Sequence, residues 1–241
     1  YHSSDDSPAN QDPTQMKRAA FLMISIGNVF ATAGPAEAVA MAGTALSYAT
    51  RRIAADLGDA LQLIASGNAV SLNENYKEAL NLVRQAYVRE RLDVHSAGSL
   101  AMGDKGALAE IAAQEKTLTA DEAVDVQRVQ QAYTGAAARL KVTVALVPAL
   151  SAAEQAAAKL VPAKKPGAPA PAGFGGGGGG APPALAGYYA MEARNFVDGM
   201  RTVLDIRNAL AAEFGQVSVD DVVRFFRDAE RAGTHTITEK K

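Results

Sequence analysis

The chain contains neither cysteine nor tryptophan. Without thiols it forms no disulfide, offers no thiolate to a metal and has no cysteine nucleophile. That absence does not assign a compartment, because exported proteins also dispense with cysteine. Aromatic residues make up 6% of the chain, whereas hydrophobic residues as a whole make up 48%, much of it alanine. Such a balance favours close-packed helices over a sandwich of branched and aromatic side chains. The formal charge is only -2, with the signs interspersed. No electrostatic footprint for nucleic acid or an anionic membrane results. The longest apolar run, residues 19–31, is shorter than the roughly 20 residues that span a bilayer and carries Asn28. It reads as a buried helix, and no membrane span is expected.

Several chemical motifs are missing too. No Gly-x-Ser-x-Gly elbow occurs. The glycine run 175–180 continues into Ala181-Pro182-Pro183 rather than the Lys-Ser/Thr of a phosphate loop. Of the three histidines, His95 and His235 lack a second ligand at i+4 and read as surface or helix-end residues. Glu110, Glu115, Asp121, Glu122 and Asp125 read as helix-start and solvent-face acids.

What is present is helical punctuation. Asp12 caps a helix over 13–31, with Pro13 at its first position and Gln15 completing a capping box. Because that helix is apolar almost all round, it must be covered on most sides, as when packed on a sheet. Gly34-Pro35 ends it. A long helix over 36–66 carries Val39, Leu46, Ile53, Leu57, Leu61 and Ile64 as one stripe, and a third after Asn73 carries Tyr76, Leu80, Val83, Tyr87 and Leu92. Arg89, Glu90 and Arg91 read as a solvated cluster. Thr119-Ala120-Asp121-Glu122 looks like the start of a fourth helix over 120–146, and 151–160 suit a short fifth.

The Pro-, Ala- and Gly-dominated stretch 161–184 has too little apolar bulk to offset its ordering entropy and reads as a flexible linker. Residues 185–241 then form a compact unit. Thr202 with Asp205 and Ser218 with Asp221 start two helices, Gly215 and Gly233 stop them, and 234–238 suit a short strand. Three short helices and a strand resemble a winged-helix module. Asp220 and Asp221 at the start of the second helix of the pair argue against phosphate contact, so no nucleic-acid partner is expected.

The opening residues carry the one chemical signature. Tyr1-His2-Ser3-Ser4-Asp5-Asp6-Ser7-Pro8, followed by Asp12-Pro13 and a helix, resembles the C-terminal metal-ligand motif of the M28 family of zinc aminopeptidases. The run Asp198-Gly199-Met200-Arg201-Thr202-Val203-Leu204-Asp205-Ile206-Arg207 is similar to C-terminal extensions of some bacterial M28-like peptidases. The resemblance implies that His2 is a zinc ligand, that two zinc ions and a glutamate base drive hydrolysis of a peptide or protein substrate, and that the other ligands precede Tyr1. Asp5 and Asp6 either hold the free ring N–H of His2 or cap the turn before Pro8. The family context favours a secreted or periplasmic protein.

The expectation is therefore a mostly α chain: the end of an α/β zinc-peptidase domain (1–33), a helical bundle (34–160), a linker (161–184) and a small winged-helix-like domain (185–241). The alternative is a helical protein-protein interaction module without enzymatic activity.

Overall fold

A computed structural model describes residues 12–168 and 185–240. The described residues are mostly helical, with eight α-helices and one two-stranded sheet. In chain order they are α1 (Pro13–Thr32), α2 (Pro35–Ala65), α3 (Leu72–Ser96), α4 (Lys105–Leu140), α5 (Ala152–Ala157), β1 (Leu160–Lys164), α6 (Gly187–Asn195), α7 (Val203–Phe214), α8 (Val219–Arg231) and β2 (His235–Glu239). A short 3-10 turn over Ala97–Ala101 links α3 to α4. The chain divides into two compact units, one of residues 1–50 and 90–119 and the other of 51–89 and 120–241. These units cut across the boundaries expected from composition.

Three features of the bundle depart from the sequence reading. The buried line of α2 runs through Ala38, Ala42, Ala49, Ile53, Ala60 and Ile64, with Val39, Leu46, Leu57 and Leu61 only half-buried. Spacings of four and seven alternate along that line. The resulting eleven-residue period fits three turns of a nearly straight helix. Alanines occupy most of it because a small side chain lets a neighbouring element approach closely. In α3, Leu92 is exposed while Glu90 is fully buried, so the Arg-Glu-Arg cluster is only in part a solvated face: Arg89 stays exposed and Glu90 does not. Helix α4 starts at Lys105, not 120. Thr119 lies inside it, its hydroxyl donating to the Glu115 carbonyl one turn back instead of capping.

Within the second unit α3 and α4 run antiparallel. Tyr76 and Tyr133 stack face to face with ring centroids 3.9 Å apart, and the Tyr133 hydroxyl donates to Asn73 Oδ1 at 2.7 Å. Farther along, the Tyr87 hydroxyl donates to Asp125 Oδ2 at 2.7 Å, and Arg128 pairs with the same carboxylate. Asp125 is therefore buried and engaged, in contrast to the solvent-face reading.

The C-terminal module also begins earlier than composition suggests. Residues 161–164, read as linker, belong to β1, which pairs antiparallel with β2 in the register Val161 to Thr238 and Pro162 to Ile237. The bonds Lys240 N–H to Lys159 O and Lys165 N–H to Thr234 O set the phase of this ladder, and the missing N–H of Pro162 falls on its outer edge. There it interrupts nothing and discourages a further strand. On the outer edge of β2, Glu230 Oε1 accepts the Ile237 N–H at 3.2 Å. The apolar core joins Ala157 of α5 to Leu210, Val222, Phe225 and Phe226, so α5 and β1 are parts of this module. Residues 169–184 lie outside the described residues.

The module is fastened to α3 by charge. Arg207 on α7 donates through Nη2 to Glu78 Oε1 at 2.6 Å, and Nε donates to the Val217 carbonyl. Lys77 Nζ reaches Glu154 at 2.6 Å. Burial works against both charges, yet each partner sustains the other, raising the lysine and lowering the carboxyl. Removing one member of the Glu78–Arg207 pair strands the other in the interior. Glu78→Ala is expected to cost about 3–5 kcal/mol, read from urea unfolding of the whole chain.

Candidate functional site

Helix α1 begins where the sequence places it, but with an Asp12 cap on Thr14 instead of the capping box expected with Gln15. Asp12 takes an extended conformation and its side chain accepts the Thr14 N–H at 2.8 Å, with Pro13 at the first helical position. The helix then departs from expectation. None of its residues is buried. Phe21, Met23 and Ile24 are each more than 70% exposed, and Met16, Leu22, Ile26 and Phe30 more than half.

These side chains are not scattered. Met16, Met23 and Phe30 repeat every seven residues, Ala19 and Ile26 fall between them, and Leu22 and Val29 flank the seam. Lys17, Arg18, Ser25 and Asn28 share the opposite side with Phe21. An apolar face of this kind marks an interaction surface. At roughly 1.5–3 kcal/mol for a fully covered large side chain, covering Met16, Leu22, Met23, Ile26, Val29 and Phe30 is worth on the order of 10 kcal/mol.

The candidate metal ligand His2, together with Asp5 and Asp6, lies outside the described residues. Among the described residues no group of three or more His, Asp or Glu side chains is arranged to hold a metal ion. His95 is exposed at the end of α3, with Nδ1 2.9 Å from Glu115 Oε1. His235 is buried, contrary to its reading as a surface residue. Its place on a strand between α8 and β1 explains the difference, and no spacing signal within the sequence announces it.

A cleft of ≈ 480 Å³ in the second unit is lined by Asp56, Asp59 and Gln62 of α2, Glu78 and Leu82 of α3, and Glu213 at the end of α7. Two of its four acids are held in ion pairs. Asp56 pairs with Arg89 at 2.7 Å and Glu78 with Arg207. Burial and the neighbouring Glu192 carboxylate raise the Glu213 pKa against the opposing pull of Arg89. The lining has no nucleophile backed by a base.

On α8, the helix that corresponds to a winged-helix reader, Arg224 pairs with Asp221, Arg227 with Glu230, and Arg231 with Asp228. Each of these guanidinium groups therefore meets a carboxylate one turn away rather than presenting net positive charge. No helix among the described residues is long and apolar enough to cross a membrane. Comparisons of the chain with protein-family models, curated proteins and solved structures gave no match.

The exposure of α1 predicts how substitutions divide. Met23→Gln, Ile26→Gln and Phe30→Gln are each expected to change the unfolding free energy of this chain by less than about 0.5 kcal/mol. Leu80→Ala in the buried face of α3 is expected to cost about 2–5 kcal/mol in the same urea titration.

Proposed function

We propose that this chain is the C-terminal part of an M28-like zinc metallopeptidase, in which α1 packs on the catalytic α/β domain and the helices beyond it form a non-catalytic extension. The observation that carries this reading is the uncovered apolar face of α1, which starts immediately after the His2-to-Pro13 run. A helix that follows the last zinc ligand in such an enzyme belongs to the layer against the sheet and needs this face. Two local features support the same reading. Asp12 and Pro13 form the helix start that closes the resembling run. The Asp198–Arg207 run forms an Asp198 turn followed by the Thr202–Asp205 capping box of α7.

In this reading His2 is one zinc ligand and the remaining ligands and the base precede Tyr1. The described residues provide no zinc site, so no step of hydrolysis is assigned to them. Their part is to cover the catalytic domain through α1. The reaction, hydrolysis of a peptide bond next to a free N-terminus, belongs to the parent protein. A helical interaction module without activity is the second reading, favoured by the same apolar face and by the structural engagement of the cleft acids.

The test uses the parent protein that contains this chain, loaded with zinc and assayed on aminoacyl anilides. His2→Ala is expected to lower kcat/KM by more than the roughly 10–100-fold typical of losing an outer-sphere partner, together with the zinc content. Hydrolysis and zinc content unchanged by His2→Ala would remove His2 from the site. A parent protein without zinc or hydrolysis would leave the interaction module.

A further inference from the structure

His235 opens β2, and its ring is buried, with Phe226 edge-on at a centroid distance of 6.0 Å. The hydrogen bonds fix its tautomer. Thr234 Oγ1 lies 3.0 Å from the Ala229 carbonyl, which only accepts, and 2.9 Å from His235 Nδ1. A hydroxyl has one proton, and here it goes to the carbonyl, so Nδ1 must carry the hydrogen of the imidazole and donate it to Thr234. Nε2 is then a bare lone pair. It is buried and, among the described residues, has no hydrogen-bond partner.

The surroundings are hostile to a proton at that atom. Lys164 is the cross-strand partner of His235 on β1, and Arg194 on α6 acts on the ring as a second cation. On α8 the carboxylate at this end, Glu230, is occupied by Arg227 and by the Ile237 N–H. Among the described residues no acceptor faces Nε2, and the imidazolium would place a further positive charge on a buried atom beside Lys164 and Arg194.

We propose that His235 is a pH-sensitive latch: the neutral ring holds β2 against β1 and α8, and protonation of Nε2 releases the strand, opening the C-terminal module at mildly acidic pH. Release would separate the two strands and uncover the edge of Phe226 and Val161. Burial, with help from Arg194 and Lys164, lowers the His235 pKa from its ordinary value near 6.5. The open state therefore binds the proton more readily than the closed one. Stability of the closed strand is fully present above about pH 6.5 and is lost as the pH falls from there through the folded pKa. Over that interval one proton is taken up per opening, so the opening equilibrium rises by up to about tenfold per pH unit.

The experiment is hydrogen exchange of the whole chain between pH 8 and 5, corrected for intrinsic exchange, with histidine ring resonances followed by NMR. Protection of β2 amides is expected to fall by up to about tenfold per unit below pH 6.5, while α3 amides keep theirs. His235→Leu is expected to abolish this pH dependence. Lys164→Gln, at an exposed position, tests the same point without touching the core and is expected to shrink the pH-driven loss. Wild type and His235→Leu losing protection in parallel would overturn the proposal. Simultaneous loss in β2 and α3, or a His235 ring titrating near 6.5 with β2 still protected, would overturn it as well.

Discussion

The second unit depends on one buried ion pair. Glu78 and Arg207 stand 129 positions apart in the chain and meet at 2.6 Å, both almost removed from solvent. Such a pair contributes little net stability unless its other hydrogen-bonding groups are occupied. Here Arg207 Nε and Nη1 are taken by the Val217 carbonyl and Asn208 Oδ1, which also ties the end of α7 to the turn before α8. Asn81 adds a bond from α3 to the Asn208 carbonyl, and Lys77 holds Glu154 at the start of α5. Two successive turns of α3 thus present Lys77, Glu78 and Asn81 to parts of the module that are distant in sequence. The Glu78–Arg207 pair marks the point at which α7 meets α3.

Once α5 and α7 are held on α3, the rest of the module closes around them. The β1–β2 pairing brings the end of the chain back to residues next to α5, and the core runs from Ala157 to Phe226 without a break. Both β1 and α6 therefore belong to one packed module. Composition places residues 161–164 in a linker because a Val-Pro-Ala strand has no periodicity of its own. Its order comes from β2, whose partner positions are more than seventy residues away.

Legibility in the sequence followed the range of the interaction. Local cap positions are legible: Asp12 with Pro13, Thr202 with Asp205, Ser218 before α8 and Gly215 after α7 stand where cap chemistry puts them, although Asp12 and Ser218 accept from Thr14 and Asp220 and do not form the boxes expected with Gln15 and Asp221. Errors arose where a distant partner decides. Thr119-Ala120-Asp121-Glu122 has the composition of a helix start, yet burial of Ala107, Ile111 and Leu118 on one side of α4 favours continuing the helix through it. The stripe of α2 was assigned to its large side chains, whereas the closest packing uses alanines, which carry no hydrophobic signal strong enough to stand out. Asp125 reads as a surface acid because Tyr87 cannot be paired with it from spacing alone. Of the candidate site, the apolar character of α1 was legible. His2 lies outside the described residues, and the sequence run around it carries the peptidase reading without a geometry beside it.

Helix α1 presents the sharper energetic problem. Isolated helices shorter than roughly 12–15 residues are marginal in water even when rich in alanine, and most helical stability in proteins comes from packing one face. At twenty residues α1 exceeds that length, but it includes Gly27 and the β-branched Ile24, Ile26 and Val29, and it buries no side chain of its own. Propensity alone therefore gives it little margin. The apolar face that threatens solubility when bare is the only large source of stabilisation available to the helix, so covering that face and ordering the helix are thermodynamically one event. A partner that binds it supplies both. This coupling makes the bare face of α1 the surface on which a partner gains most, since it acquires apolar burial and orders the helix in the same step.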